Sequence, residues 1–295
     1  MDAEPLFLYG DAAQFTKYGD HLLGAFMGFV LTEHQGLAYS RFPLFFLQDR
    51  FSAGRCTEQP LWRFVVDSLQ KLAATHLVTE IRGDWKFLVD VFAMKATPTS
   101  KECCYKCRCS STSYGTFGLA AAWMRTRRSN VDFLLNVLPE LDSEESSPLL
   151  WLPGFSVEVI KPCWMHVAHV GVGLFANGSA MQILLDRELC GAGLSKDLAL
   201  RALFLRFRGW QKNLGIKVAM PRFRHFLLKN DLEQIFYQSK AHHSRVLTSF
   251  LAAVLTEESK KAPEDLELLQ ASLCLYLLSE LYNQVERGSR FLTEQ

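Results

Sequence analysis

Three short apolar runs mark the first fifty residues of the chain. They span residues 6–9, 22–31 and 42–47, and Gly, Asp and a His-Gln-Gly cluster separate them. Short apolar segments bounded by turn-forming residues are typical of consecutive β-strands. We therefore expect a three-stranded β-meander at the start of the chain.

The period of the pattern changes after these strands. Apolar residues recur at helical spacing between residues 61 and 72, residues 77–81 alternate like a strand, and a second helical pattern occupies residues 87–92. Three strands, a helix, a strand and a helix form the element order of a ribonuclease-H-like core. In that order the first and fourth strands are neighbours in the sheet.

Helical patterns dominate the rest of the chain. A cysteine-rich loop begins near residue 101 and a polar linker covers residues 142–148. Helical patterns cover residues 114–128, 167–189, 197–213, 232–258 and 263–284. The predicted fold class is α/β, with a ribonuclease-H-like mixed sheet core and a large, mainly α-helical insertion or C-terminal region. We divide the chain into a core (1–100), a region with paired metal-ligand motifs (101–170) and a helical region (171–295).

Composition and charge limit the compartments and the partners to be expected for this chain. The chain of 295 residues is 49% hydrophobic and carries a net charge of +1, so no overall charge indicates a polyanionic partner. No apolar run reaches the roughly 18 residues of a membrane span, and the first residues lack a signal-peptide pattern. Four of the eight cysteines crowd into residues 103–109. We therefore expect reduced thiols, an intracellular protein and no membrane partner.

Two residue pairs have the spacing with which side chains share one metal ion. They are Cys104-x-x-Cys107 and, after 55 intervening residues, Cys163-x-x-His166. Three thiolates and one imidazole favour zinc over magnesium or calcium, and four protein ligands make a closed, structural site. A thiol-rich surface loop is the alternative, and Cys103 or Cys109 could replace a ligand. His169 is either a further ligand or a packing residue.

Asp11 and Asp84 are the candidate catalytic residues. Asp11 lies on or just after the first predicted strand, and Asp84 lies at the end of the fourth. Neighbouring strands would bring the two carboxylates together, and such a pair can bind Mg²⁺ for phosphoryl transfer. Each aspartate follows a glycine, and Gly-Asp is also a common turn dipeptide, so ordinary turns remain the alternative.

Basic residues concentrate between residues 196 and 245, a segment that contains 11 Lys and Arg but 3 Asp and Glu. The candidate nucleic-acid-binding residues are Arg201, Arg208, Lys212, Arg222 and Arg224. The aromatic residues interleaved with them are Phe204, Phe207, Trp210 and Phe223. Lys and Arg can contact phosphates, and aromatic rings can stack on unpaired bases. The alternative is a helix with a solvated basic face and an aromatic core face.

Together these motifs resemble the DDE transposases of cut-and-paste DNA elements, in the group that includes CACTA-type and KDZ-type elements. That group carries a CxxC and then a [C/D]xxH motif, which Cys104-Tyr-Lys-Cys107 and Cys163-Trp-Met-His166 match. Leu8-Tyr9-Gly10-Asp11 and Gly83-Asp84-Trp85-Lys86 look like the segments that bear the first two catalytic aspartates. Residues 166–173 and 240–252 are similar to segments of transposase-derived families of protist genomes. The similarity spans roughly residues 5–285.

The resemblance implies Mg²⁺-dependent DNA strand cleavage and joining, a structural zinc, a DNA partner and nuclear action. It also implies a third acidic residue, usually Glu, after the helical insertion. Glu188, Glu233 and Glu280 are available, but none has a matching sequence context. Two functions therefore stay open: a transposase-like nuclease, complete or incomplete, and a non-enzymatic, transposon-derived DNA-binding protein stabilised by zinc.

Overall fold

The structure is a computed structural model that describes residues 3–16, 18–31, 41–97, 100–113, 121–141, 143–231 and 234–287. The chain divides into two compact units, Met1–Cys163 and Trp164–Gln295. We describe each unit by itself. The region 101–170 that carries the paired cysteine and histidine motifs contributes residues to both units.

The first unit contains a five-stranded mixed sheet. Its strands are β1 (Glu4–Gln14), β2 (His21–Phe29), β3 (Phe42–Gln48), β4 (His76–Gly83) and β5 (Ile160–Pro162). They lie in the order β3-β2-β1-β4-β5. β1, β2 and β3 pair antiparallel, whereas β4 runs parallel to β1 and β5 runs parallel to β4. The predicted α/β class and the three-stranded meander are confirmed.

Within the part of the first unit that the structure describes, three α-helices accompany the sheet: α1 (Arg55–Lys71), α2 (Trp85–Phe92) and α3 (Asn130–Asn136). Single 3₁₀ turns occupy Asp49–Phe51, Ala122–Arg125, Pro148–Trp151 and Val157–Val159. The two predicted helices around β4 are confirmed, although α1 begins six residues before its apolar pattern. Residues 114–120 of the predicted helix 114–128 lie outside the described residues. The described remainder is a 3₁₀ turn followed by extended chain, so that prediction is wrong there.

The core of the first unit forms where α1 and α2 cover one face of the sheet. Leu6 and Leu8 of β1 and Ile81 of β4 are at most 2% exposed and belong to the same apolar cluster as both helices. The ring of Trp62 on α1 joins the layers, because it lies 4.9 Å from Phe45 of β3 and 6.1 Å from Phe87 of α2. This packing fixes the start of α2 against the ends of β1 and β4.

The second unit is mainly helical. It comprises π-helical turns (Met165–Val172), α4 (Gly173–Asp186), α5 (Lys196–Leu214), a 3₁₀ turn (His225–Leu227), β6 (Leu228–Asp231), β7 (Gln234–Tyr237), α6 (Ala241–Lys261) and α7 (Leu266–Arg287). β6 and β7 pair antiparallel. The helical patterns at 167–189, 197–213 and 263–284 are confirmed. The pattern at 232–258 is wrong at its start, because β7 occupies that stretch and α6 begins only at Ala241.

One described helical stretch, Met165–Asp186, is long and apolar enough to cross a membrane by length and composition alone. Buried core helices pass the same test, and Ala180, Met181 and Leu184 of this stretch belong to the apolar core of the second unit. Asn177 is also fully buried there, where its side chain bonds to the backbone and hydroxyl of Ser244. One side of the stretch therefore packs in the core of the second unit, whereas 39% of its most apolar window is buried overall.

Candidate metal-binding site

The pairing of β1 with β4 brings the two predicted aspartates together. Gly10 lies opposite Gly83 in the parallel register, so Asp11 and Asp84 each follow one member of that pair. Their carboxylate oxygens lie within 4.8 Å of each other. Asp11 belongs to a strand that continues to Gln14, so it does not lie in a turn. The expected meeting of the two carboxylates is confirmed, whereas their catalytic role stays a prediction.

Gly10 and Gly83 are required by the ring of Phe87. A Cβ atom at Gly10 would lie 2.0 Å from Cζ of Phe87, and one at Gly83 would lie 2.2 Å from Cδ1. Ordinary carbon contacts are about 3.5–4.0 Å, so no side chain fits at either position while the ring stays in place. Phe87 is 7% exposed and lies on the first turns of α2. The two glycines thus let α2 start directly over the strand ends.

Each carboxylate has one hydrogen-bond partner within the unit. Oδ1 of Asp84 accepts a bond of 2.6 Å from the backbone N–H of Phe87, which makes Asp84 the N-cap of α2. Oδ2 of Asp11 accepts a bond of 3.0 Å from the hydroxyl of Tyr9. Burial, followed by the charge of Asp11, raises the pKa of Tyr9, so the phenol remains a donor. Among the described residues of the first unit, the other oxygen of each carboxylate accepts no hydrogen bond and is available to a cation.

The donor set fits a hard divalent cation. Two oxygen ligands of one Mg²⁺ lie about 3–4 Å apart, because the metal–oxygen distance is about 2.1 Å and the geometry is octahedral. The Asp11 and Asp84 oxygens lie within 4.8 Å of each other, which is compatible with that spacing. Water or substrate oxygens would complete the shell.

A cavity of about 380 Å³ opens beside Asp84 and carries further acidic groups. Asp49, Glu58 and Asp90 line it, and Lys86 forms a 2.5 Å ion pair with Asp90. Burial, and next the negative charge of Asp90, raises the pKa of Glu58. Sequence reasoning missed Glu58. Glu58 lies in the first turn of α1, and that position was the one feature of the sequence that could have drawn attention to it. Acidic residues are common in first turns, because negative charge is stabilised at a helix N-terminus, so the position alone does not indicate a site.

The Cys104–Cys107 pair lies on a small hairpin. Glu102 and Ser110 form an antiparallel bridge, and the backbone N–H of Lys106 donates to Sγ of Cys104 at 3.4 Å. Burial, together with the adjoining Cys104 thiol, raises the pKa of Cys107 to about 11. The two thiols are therefore neighbours, and zinc would displace the proton of Cys107 on binding. Soft sulfur donors in contact fit zinc.

The other predicted zinc ligands lie elsewhere in the chain. Cys163 ends the first unit, and its backbone N–H donates to the carbonyl of Gly83 at 2.7 Å. Among the described residues of the first unit, no group of three potential ligands that includes a cysteine has all its ligand atoms within 4.8 Å of one another. In the second unit, His166 lies in the π-helical turns, where its buried Nδ1 has no hydrogen-bond partner among the described residues.

His169 and the two remaining loop cysteines have other surroundings. The ring of His169 lies 4.7 Å from that of Tyr282, and burial, followed by the charge of Arg245, lowers its pKa. These contacts support its interpretation as a packing residue. Cys103 and Cys109 face each other across the hairpin, where the N–H of Cys103 donates to the carbonyl of Cys109 at 3.0 Å.

The hairpin packs directly on the segment that carries Asp84. Tyr105, between the two cysteines, is 2% exposed, and its ring lies 5.4 Å from that of Trp85. Arg128, 4% exposed, donates 3.4 Å to the carbonyl of Cys104 and pairs with Glu102. The cysteine hairpin is thus tied to the residue that follows Asp84, which gives a zinc there a route to support the carboxylate site.

The three acids considered for the third catalytic position differ in their surroundings. Glu188 accepts a bond from the N–H of Gly193, and Glu280 accepts one from the side chain of Asn283. Glu233 lies outside the described residues. These bonds assign Glu188 and Glu280 local structural roles within the second unit.

The basic residues of the second unit lie on an exposed stripe of α5 and on the segment that follows it. Arg201, Leu205, Arg208 and Lys212 are exposed, whereas Leu200 and Phe207 are fully buried. A groove of about 350 Å³ is lined by Arg201, Arg222 and Arg224, and a second, of about 420 Å³, is lined by Arg208, Lys212 and Lys217. All five predicted nucleic-acid-binding residues thus line one of two neighbouring grooves.

Two of the four interleaved aromatic residues face the core. Phe207 and Phe223 are at most 4% exposed, and the ring of Phe207 lies 5.2 Å from Phe250 and 6.1 Å from Trp210. Phe204 and Trp210 are half-buried, and Phe204 lines the first groove, so base stacking on the aromatic rings stays a prediction. The cations of the two grooves are suited to phosphates.

Comparison with known proteins gave no match to a protein-family model, a curated protein or a solved structure. The function is therefore argued from the site.

Proposed function

We propose that this protein is a transposase-like nuclease that uses Asp11 and Asp84 to hold Mg²⁺ for DNA strand cleavage and transfer. The observation that carries the proposal is the carboxylate pair, within 4.8 Å, at the ends of two adjacent parallel strands. The sheet order β3-β2-β1-β4-β5 supports a ribonuclease-H-like core, because it makes the first and fourth strands neighbours as that core requires. Nuclear action follows from a DNA substrate.

The residues present define what the chain would contribute. Bound Mg²⁺ would supply Lewis acidity and stabilise the attacking and leaving oxygens of a phosphodiester. Asp11, oriented by Tyr9, and Asp84, fixed as the cap of α2, would hold the cation at a constant place. Glu58 lines the cavity beside Asp84, and its raised pKa suits it to accept or return a proton there.

Two further features support a DNA substrate. Zinc held by Cys104 and Cys107, with Cys163 and His166 as the remaining ligands, would stiffen the hairpin that packs on Trp85. The five cations of the grooves beside α5 would contact phosphates. Arg206 is excluded from this set, since it pairs with Glu257 and Glu258.

Nicking of supercoiled plasmid DNA in the presence of Mg²⁺ tests the catalytic proposal. Asp84→Asn is the informative variant, because asparagine still caps α2 but removes the ligand charge. We expect at least a 100-fold loss of nicking in Asp11→Asn and in Asp84→Asn. Asp67→Asn, an exposed aspartate on α1 of the same unit, is the matched control and should retain activity. Equal activity in all three variants would overturn the proposal.

The second candidate is a non-enzymatic DNA-binding protein of the same architecture. One observation favours it: among the described residues of the first unit, no third Asp or Glu lies within 4.8 Å of both aspartates. This candidate predicts salt-dependent DNA binding that weakens when Arg201, Arg208 and Lys212 are changed to Ala, together with no Mg²⁺-dependent nicking. The plasmid assay and the binding assay therefore separate the two functions.

A further inference from the structure

The last helix of the second unit, α7, has an unusual division of its two faces. The face that packs against α6 contains small polar residues: Ser249 of α6 bonds to Ser279 at 2.8 Å, and Thr256 bonds to Ser272 at 3.1 Å. Ser272 and Ser279 are at most 7% exposed. Leu268, Leu275 and Tyr282 lie on the same side of the helix and are at most 2% exposed, so this side of α7 is part of the buried interior of the second unit.

Seven other large apolar residues of α7 point outward. They are 43% to 68% exposed: Leu266, Leu269, Leu273, Tyr276, Leu277, Leu281 and Val285. Residues 268–279, in the middle of the helix, include no Asp, Glu, Lys or Arg. A surface helix normally exposes a charged face. Because α7 is apolar on its outer face as well as on its buried one, we expect another surface to cover the outer face.

The size of the face is sufficient for a stable interface. At about half exposure, and taking about 150 Å² for a large side chain, the seven residues present roughly 500 Å² of apolar surface. Two such faces in contact would bury roughly 1,000 Å² before any polar rim is added, which reaches the area that specific interfaces need.

The spacing of the residues favours a crossed pair of helices. Leu269, Leu273, Leu277, Leu281 and Val285 follow one another at intervals of four and form a single ridge about 24 Å long. Ridges of this kind interdigitate when two helices cross at about −50°. A heptad seam through Leu266, Leu269, Leu273 and Tyr276 would instead reach Glu280, so an extended coiled coil is disfavoured.

We propose that the outer face of α7 is a homodimer interface occupied by α7 of a second copy of this chain. The middle of this face, residues 268–279, is uncharged and so complementary to itself, because two-fold pairing there places no like charges against each other. Cys274 lies on this face, between Leu273 and Leu277, and its side chain is exposed. In an isologous crossing centred on this stretch, the two Cys274 thiols come close together. The inference is independent of the nuclease proposal.

Light scattering coupled to gel filtration of the full chain, from 1 to 100 µM, is the first test. We expect twice the chain mass for the parent protein. Leu273→Glu/Leu277→Glu should be monomeric over the whole concentration range, because the dissociation constant of its dimer should rise by at least about 100-fold. The matched control, Leu135→Glu/Leu214→Glu, changes two other exposed leucines, 69% and 61% exposed, and should remain dimeric. A monomeric parent, or a dimer that survives the Leu273/Leu277 change, overturns the proposal.

A second measurement does not depend on how the glutamate variant folds. Cys56 and Cys274 are the two exposed cysteines of the chain. In a Cys56→Ser background, a short bismaleimide should link Cys274 to its counterpart and give a covalent dimer at low micromolar concentration. Cys274→Ser, with Cys56 kept, should give none. If Cys56→Ser gives no covalent dimer, or if Cys56→Ser and Cys274→Ser give equal amounts, the two α7 helices do not cross near Cys274.

Discussion

Gly10→Ala is expected to destabilise the first unit although it adds one methyl group. The added Cβ would lie 2.0 Å from Cζ and 2.2 Å from Cε2 of Phe87, so the ring must retreat by about 1.5 Å to reach an ordinary contact distance. Phe87 is 7% exposed and contacts Trp62, which leaves little space for that movement. Overpacking of this kind costs about 1–3 kcal/mol, and we expect about 2.5 kcal/mol.

A double-mutant cycle with Phe87→Leu isolates the cause. Phe87→Leu alone should cost about 1.5 kcal/mol, less than the 3–5 kcal/mol typical of truncation to alanine. In Gly10→Ala/Phe87→Leu the new methyl group enters the space that the ring has left, so the total loss should be about 2 kcal/mol rather than about 4. Urea unfolding at neutral pH measures each corner of the cycle.

The control substitution, Gly209→Ala, should change the free energy of unfolding in the opposite direction. Gly209 lies inside α5, a Cβ there meets no atom within 4 Å, and its backbone does not have positive φ. Gly209→Ala should therefore stabilise by up to about 1 kcal/mol through helix propensity. A neutral Gly10→Ala, or a strictly additive cycle, would refute the argument that Phe87 requires a glycine at position 10.

Two further predictions concern Glu58 and the zinc ligands. Because the pKa of Glu58 is raised in the folded protein, its ionisation lowers the free energy of unfolding as pH rises from the ordinary pKa of 4.5 to the raised one. Glu58→Gln should therefore be more stable than the parent at pH 7 and equal to it below pH 4. Thermal melts across that pH range check this, with the exposed Asp67→Asn as control, and identical pH profiles of parent and Glu58→Gln would contradict it. Elemental analysis should find about one zinc per chain, lost in Cys104→Ser and Cys163→Ser but kept in Cys274→Ser, and full retention in Cys163→Ser would refute the four-ligand shell.

Hydrophobic periodicity was sufficient to predict the architecture around Asp11 and Asp84. The apolar runs before residue 50 and the change of period after residue 60 predicted the correct order of elements from β1 to α2, whereas α3 and β5 were not predicted. Adjacency of the first and fourth strands then led to the meeting of the two carboxylates. The element order is predictable because side-chain period depends on local pattern, whereas the adjacency of the first and fourth strands came from the likeness of that order to a ribonuclease-H-like core.

Features that depend on contacts between distant residues were not predictable. The helical pattern at 232–258 concealed β7, whose Ile235, Phe236 and Tyr237 suit a strand as well as a helix. The structure shows what decides between them: a Cβ at Gly178 of α4 would lie 2.4 Å from Cα of Phe236, so the hairpin backbone passes directly over that glycine. No local pattern announces such a contact.

The same reasoning explains why the Gly-Asp dipeptides were ambiguous. A glycine before an aspartate is typical of a turn, and nothing in the residue types distinguishes a turn from a close contact with a ring. Only the position of Phe87, three residues after Asp84, shows that both glycines serve one packing requirement. Glu58 escaped notice for a similar reason, since its relation to Asp90 arises from the packing of α1 near α2.

The paired glycines also determine how accurately the carboxylates are held. In a parallel pair, a shift of one residue turns side chains to the opposite face, and would separate Asp11 from Asp84. β1 and β4 already contain one irregularity, between Leu6 and Phe7, so their register must be fixed nearer to the site. Phe87 covers Gly10 and Gly83 together, and any slip would bring a Cβ beneath its ring. The ring therefore selects the one register in which Asp11 and Asp84 can share a cation.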